Sequence, residues 1–74
     1  MENIKSVKEI FAERLRILID ENELNIQKFS KELSIPVSTI SDWLNKKTTP
    51  TIENIPKIAI YFKVTTDYLL GLEN

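Results

Sequence analysis

Hydrogen-bonding and cationic side chains are concentrated between residues 38 and 49 of this 74-residue chain. Polar residues recur there at the spacing of one helix face, and lysines and threonines follow them: Ser38, Ser41, Asp42 and Asn45, then Lys46, Lys47, Thr48 and Thr49. An exposed helix carrying such groups can exchange hydrogen bonds with another molecule, and the loop after it suits contacts with phosphate. The chemistry indicated is recognition of nucleic acid. The alternative for the loop is a solvated basic segment without a partner.

Cysteine and histidine are both absent from the sequence, which removes disulfides, thiolate chemistry, histidine bases and the usual zinc sites. The carboxylates form no recognisable metal-binding cluster, and the sequence pairs no nucleophile with a base and has no phosphate-binding loop. No apolar run approaches the roughly 18 residues of a membrane helix, and the start MENIKSVKEIF is not organised as a signal peptide. We therefore expect a cytoplasmic protein that is not an enzyme, with no metal, cofactor, small-molecule ligand or membrane role.

The elements that must position the polar residues can be read from the apolar pattern. From Ile26 to Leu33 the apolar residues have helical spacing, and Asn25 before them is a good N-cap. Pro36 disfavours helical geometry at the residue before it and suits the start of a second helix, whose Thr39, Ile40 and Trp43 should face the core. Only three residues, 34–36, remain for the turn, so the two helices are held at a large angle. This is a helix-turn-helix pattern, and it points to DNA.

Three further helices would supply the scaffold. Ser6 and Glu9 form a capping-box pattern before an apolar stripe that ends near residue 22. Thr51 is the expected N-cap of a helix that Pro56 would kink or delay and that buries Ile52, Ile55, Ala59 and Phe62. Gly71 is placed for a left-handed C-cap of a short last helix. We predict an all-α chain forming one domain, residues 1–74, with helices at approximately 6–22, 25–33, 36–45, 52–63 and 66–70.

The net charge of −1 is unevenly distributed along the chain. Residues 1–24 carry four basic and six acidic side chains, residues 25–50 carry four and two, and residues 51–74 carry two and three. Because only the middle third is positive, the helix-turn-helix would be oriented towards phosphate, with modest non-specific binding and a shallow salt dependence. The alternative is a chance fluctuation in charge.

Nearly the whole chain resembles the Cro and lambda-repressor-like helix-turn-helix domains, also called the XRE family. The resemblance rests on residues that match the family's pattern in register: Leu24, Phe29, Ser30, Ile40, Trp43, Pro50 and the closing run Val64, Thr65, Asp67, Tyr68, Leu69, Leu70 and Gly71. Many matches in one register are far more specific than any single one. The resemblance implies a compact, five-helix lambda-repressor-like fold that binds double-stranded DNA.

The sequence departs from the family's pattern at several positions. Where many members carry a buried Arg–Glu ion pair, this chain has Ile19 and Leu44, and replacing both charges by apolar residues is tolerated far better than replacing one. We therefore expect these two residues to be in contact, although Ile19 could simply be another core residue. The usual phosphate-binding Gln is Ile26 here, with Gln27 beside it, and two usual glycines are Ser34 and Lys46.

By this resemblance, the start and exposed face of the second helix of the motif would meet base edges in the major groove through Val37, Ser38, Ser41 and Asp42. Val37 could pack against a thymine methyl group, whereas Asp42 either accepts a hydrogen bond from cytosine or faces solvent. We expect few sequence-specific base contacts, because this face has no Arg, Gln or Asn before Asn45. Phosphate contacts are expected from Gln27, Lys28, Asn45, Lys46, Lys47, Thr48 and Thr49.

Relatives of this kind commonly bind paired half-sites as two-fold dimers. The candidate interface is formed by Ile60, Tyr61, Tyr68, Leu70 and Leu72, although the same residues could complete the core of the monomer. The function expected is a sequence-specific transcriptional regulator, a repressor of phage or prophage type, either phage-encoded or associated with the bacterial nucleoid. The alternative is an antitoxin-like or adaptor module for protein interaction, which keeps the fold but binds DNA weakly or not at all.

Overall fold

A computed structural model describes residues 5–73. Residues 1–4 and 74, which belong to the predicted domain, lie outside the described residues. The described chain contains five helices and no strand: α1 (Val7–Glu21), α2 (Ile26–Leu33), α3 (Val37–Leu44), α4 (Asn54–Phe62) and α5 (Thr66–Leu70). The all-α fold of five helices is therefore confirmed. No helix in this part of the chain is both long and apolar enough to cross a membrane.

Three helices begin at the side-chain caps that the sequence predicts. At α1 the capping box is complete, since the Glu9 N–H donates to Ser6 Oγ at 3.1 Å and the Ser6 N–H donates to Glu9 Oε1 at 3.0 Å. The Asn25 side chain accepts hydrogen bonds from two N–H groups of α2, and Thr65 Oγ1 accepts one from the Tyr68 N–H of α5. These bonds satisfy N–H groups that have no partner within the helix.

The start of α4 differs from the prediction. Its N-cap is Glu53 rather than Thr51, whose carbonyl accepts hydrogen bonds from the N–H groups of Asn54 and Ile55 in the preceding turn. Pro56 therefore lies in the first helical turn, where its missing N–H costs nothing. The expectation that Ile52 is buried by the helix is wrong, since it precedes α4 and is 85% exposed.

One hydrophobic core joins all five helices, with α1 packing against α3 and α5, α2 against α3, and α4 against α5. Phe11 and Trp43 meet edge to face at 5.9 Å between ring centroids, and Phe29 lies at 5.3 and 5.4 Å from Tyr61 and Phe62. Ile19 and Leu44 are both buried in this core, as their replacement of an ion pair requires, and a direct contact between them stays a prediction. The core residues are Phe11, Leu15, Leu18, Ile19, Phe29, Ile35, Ile40, Trp43, Leu44, Ile58, Ala59 and Leu69.

All five helices end in the same hydrogen-bond arrangement, the Schellman motif. After α1, for example, the Leu24 N–H donates to the Ile19 carbonyl at 2.9 Å and the Glu23 N–H donates to the Asp20 carbonyl at 3.1 Å. Each motif places one residue in the left-handed region: Glu23 (φ 49°), Ser34 (57°), Lys46 (64°), Lys63 (60°) and Gly71 (84°). Four of these residues are not glycine, at a steric cost of about 1–2 kcal/mol each.

Arg14 connects α1 to the end of α5. Its Nη1 donates to the carbonyls of Tyr68 at 2.8 Å and Glu73 at 2.6 Å, and its guanidinium lies 4.4 Å from the centroid of the Tyr68 ring. The guanidinium therefore donates hydrogen bonds to carbonyl groups at the end of α5 and also stacks on an aromatic ring.

Gly71 is a left-handed position at which an added Cβ atom would also be too close to a neighbouring side chain. A Cβ atom there would lie 2.9 Å from both Cδ1 and Cγ2 of Ile10. We predict that Gly71→Ala lowers the free energy of unfolding by about 2 kcal/mol or more, because the left-handed strain and the overpacking add. Urea unfolding checks this, and in an Ile10→Ala background the cost should shrink to the strain alone. An equal cost in both backgrounds would contradict the collision.

Candidate nucleic-acid interface

The turn between α2 and α3 is fixed by hydrogen bonds at both ends of Ile35. The Ile35 N–H donates to the Ser30 carbonyl at 3.0 Å, and Ser30 Oγ donates to the Ile35 carbonyl at 2.5 Å. Ile35 itself is buried, and Ser34 before it has left-handed geometry. Pro36 follows in an extended conformation, and its carbonyl accepts the first hydrogen bonds of α3, from Thr39 and Ile40. The helix-turn-helix predicted from the sequence is thus formed by residues 26–44.

α3 has one buried face and one accessible face. Ile40, Trp43 and Leu44 are buried, as the core requires. Of the predicted base-reading residues, Val37 is 40% exposed, Ser38 is exposed, and Ser41 and Asp42 are partly buried. The two most accessible ones thus lie in the first turn of the helix, the part that a helix in the major groove would present to base edges.

At the end of α3 a lysine takes the place that an apolar residue has at the ends of the other four helices. The left-handed residue is Lys46, and the residue after it, whose N–H donates to the Asp42 carbonyl at 2.9 Å, is Lys47. In the other four helices the residue directly after the left-handed one is apolar: Leu24, Ile35, Val64 and Leu72. An apolar contact made by this residue usually accompanies the motif. At Lys47, α3 therefore has an exposed cation in place of this apolar contact, whereas a lysine at the left-handed position also occurs after α4, as Lys63.

The remaining candidate phosphate contacts are all accessible. Gln27 and Lys28 are exposed in the first turn of α2, and Asn45, Thr48 and Thr49 are exposed around the two lysines. Asn45 Nδ2 donates to Ser41 Oγ at 3.3 Å, so this hydroxyl keeps its proton for another acceptor. Ile26, at the usual glutamine position, is partly buried and packs against the core, which leaves Gln27 and Lys28 as the polar residues of this turn.

The charge of Lys46, at the end of α3, affects a carboxylate at the start of α1. The hydrogen bond from the Ser6 N–H is the main cause that lowers the pKa of Glu9, and the charge of Lys46 contributes in the same direction. Glu9 therefore stabilises the fold in its ionised form, at pH values above its ordinary pKa of 4.5, and this contribution is lost as the pH falls through the lowered folded value.

The candidate dimer residues divide into two groups. Ile60 is 76% and Leu72 is 73% exposed, whereas Tyr61, Tyr68 and Leu70 are partly buried. The Tyr61 hydroxyl donates to the Glu32 carboxylate, a bond that raises the pKa of Tyr61, while Tyr68 lies under Arg14. The two tyrosines therefore have packing roles within the monomer, and Ile60 and Leu72 provide the free apolar surface.

Sequence reasoning missed the roles of Arg14 and the Ser30 hydroxyl. Both lie at apolar-stripe positions, since Arg14 falls at the i+3 position after Phe11 and Ser30 falls four residues after Ile26. A polar residue inside an apolar stripe is a signal that it must find a partner within the fold.

A family model described as helix-turn-helix, of the Cro and lambda-repressor-like (XRE) type, matches residues 15–69. Since the match covers more than half of the chain, the protein belongs to this family. It is a DNA-binding transcription regulator of the XRE type. No curated protein and no solved structure gives a significant match.

The strained Lys46 generates a test of stability. We predict that Lys46→Gly raises the free energy of unfolding by about 0.5–1 kcal/mol, because relief of the left-handed strain exceeds the added entropy of the unfolded chain. Lys47→Gly is the matched control: it removes the same charge at a position without positive φ, and should lower stability. Urea unfolding of both variants checks this, and a loss of stability in Lys46→Gly would contradict it.

Proposed function

We propose that the protein is a repressor of phage or prophage type that reads an operator by placing α3 in the major groove. The observation that carries this proposal is the exposed Lys47 in place of an apolar residue at the end of α3, next to the exposed Lys46 and directly after the accessible face of that helix. Cations at this point can neutralise phosphates of the DNA backbone, while the first turn of α3 approaches the bases.

The proposed base contacts are Val37, Ser38, Ser41 and Asp42. Val37 offers a methyl surface to thymine, and the two serine hydroxyls can donate or accept. Asp42 is partly buried, and it either accepts from a cytosine amino group or faces solvent. The proposed phosphate contacts are Gln27, Lys28, Asn45, Lys46, Lys47, Thr48 and Thr49, all of them exposed. We further propose that the chain acts as one cytoplasmic domain, with no catalytic role.

The second candidate function is an antitoxin-like or adaptor module that contacts another protein. It is favoured by the net charge of −1 and by a recognition face that lacks Arg, Gln and Asn before Asn45. Charge at residues 46 and 47 separates the two functions, because only DNA binding depends on phosphate neutralisation there.

Reversal of the two lysine charges tests the proposal. We predict that Lys46→Glu with Lys47→Glu abolishes binding to a duplex recovered by the wild-type protein from a random-sequence pool, in fluorescence anisotropy at low salt. Single replacements by Ala should each reduce the slope of log K against log salt by about 1, as loss of one phosphate contact does.

Lys57→Glu with Lys63→Glu is the control, since it makes the same charge change on and after α4. This variant should bind nearly as the wild type does, and circular dichroism should show both double variants folded. Equal binding by the two double variants would contradict the proposal and favour the protein-interaction function.

We also propose that the protein binds DNA as a homodimer on half-sites about one helical turn apart. The interface would include the exposed Ile60 and Leu72, together with the partly buried Tyr61, Tyr68 and Leu70. A dimer would double the number of base contacts, and this is needed because one α3 can make only a few of them.

A pair of matched substitutions tests the dimer. Ile60→Lys places a charge in the proposed interface, and Ile52→Lys makes the same change at a residue that is similarly exposed, 85% against 76%. Analytical ultracentrifugation should show that Ile60→Lys loses dimers on a two-half-site duplex, whereas Ile52→Lys keeps them. The reverse pattern, or a monomeric wild type on that duplex, would contradict the interface.

A further inference from the structure

We infer that Ser30 is a positioning residue, whose hydroxyl fixes the angle at which α3 leaves the turn. Ser30 and Ile35 are joined by two reciprocal hydrogen bonds: Ser30 Oγ donates to the Ile35 carbonyl at 2.5 Å, and the Ile35 N–H donates to the Ser30 carbonyl at 3.0 Å. The second bond belongs to the Schellman motif that ends α2. The first is an addition made by a side chain, and it has no equivalent in the backbone pattern.

The Ile35 carbonyl is the point at which the orientation of α3 can be controlled. It belongs to the same planar peptide unit as the nitrogen of Pro36, the N-cap of α3. Fixing this oxygen therefore fixes the plane from which the helix starts. Pro36 has no N–H and provides no side-chain cap for α3, so the start of the helix lacks the anchors that Ser6, Asn25 and Thr65 give to α1, α2 and α5.

The Ser30 hydroxyl also acts on a turn that contains Ser34, one of the four left-handed residues that are not glycine. A residue other than glycine in the left-handed region is strained, and strain of this kind persists only where the surroundings over-determine the conformation. The buried Ile35 side chain holds the turn from the core side, and the Ser30 hydroxyl holds the backbone from α2. Together they keep the strained turn in one geometry.

This inference rests on the proposed function, because the orientation of α3 determines whether Val37 and Ser38 can reach base edges. Base contacts carry the sequence information and need a defined orientation of α3, whereas phosphate contacts from the exposed lysines carry none. Loss of the Ser30 hydroxyl should therefore lower specific binding and leave non-specific binding almost unchanged. A merely structural role would lower stability without changing the ratio of the two.

The test compares Ser30→Ala with the wild type on two duplexes, one recovered from a random-sequence pool by the wild-type protein and one of scrambled sequence. Fluorescence anisotropy at physiological salt should show the Kd for the recovered duplex raised about threefold to tenfold, the factor that one net hydrogen bond is worth. The Kd for the scrambled duplex should stay as in the wild type. Ser30→Thr, which keeps a hydroxyl, should restore the preference.

Ser6→Ala is the matched control, since it removes a serine hydroxyl that also forms a backbone hydrogen bond, at the start of α1. It should lower the urea midpoint but leave the ratio of the two Kd values unchanged. An unchanged ratio in Ser30→Ala, or an equal change in Ser6→Ala, would overturn the positioning role.

A measurement without DNA keeps the inference separate from the proposed function. Residual dipolar couplings of the free protein report the orientation of α3 relative to α2, and they should differ between Ser30→Ala and the wild type. If the wild type recovers no duplex, the proposed function fails, and the couplings alone decide the role of Ser30. Identical couplings in the two proteins would overturn that role.

Discussion

The arrangement of the molecule depends on the burial of one side of α3 against α1. This eight-residue helix commits Ile40, Trp43 and Leu44 to the core, and the ring of Trp43 meets Phe11 edge to face. Removing a buried Trp side chain costs about 3–5 kcal/mol, which is a large part of the stability of a typical domain. The helix that carries the candidate base contacts is therefore also a central part of the core, so its accessible face is determined by what its other face must bury.

A second constraint is the repeated use of left-handed helix ends. Strain at Ser34 and Lys46 is placed on either side of α3, the element for which orientation and charge matter most. At the first position the Ser30 hydroxyl and the buried Ile35 hold the turn, and at the second the strained residue is itself a cation. At residue 71 the left-handed residue is glycine, because Ile10 leaves no space there for a Cβ atom. Glu23 and Lys63 carry the same strain at the ends of α1 and α4.

Local signals in the sequence were sufficient for most of the fold, because caps, apolar spacing and Pro36 act within a few residues. The capping box at Ser6 and the caps at Asn25 and Thr65 are of this kind, as is the helix-turn-helix itself. The start of α4 was misplaced because Pro56 could be accommodated in the first turn, which left Ile52 outside the helix. Arg14 could not be assigned from sequence because its partners, Tyr68 and Glu73, lie more than 50 residues away. Which side chains meet bases depends on a docked geometry that the sequence of one chain does not contain.

Reading of a DNA sequence by α3 is tested most directly by fluorescence anisotropy with two labelled duplexes. One carries the DNA upstream of the protein's own gene and the other a scrambled version of it, each at low and at physiological salt. Non-specific binding falls steeply with salt, whereas base contacts preserve a difference between sequences. We predict a preference for the upstream duplex that persists at physiological salt. Equal binding to both duplexes that disappears as salt is raised, or no binding to either, would contradict the claim.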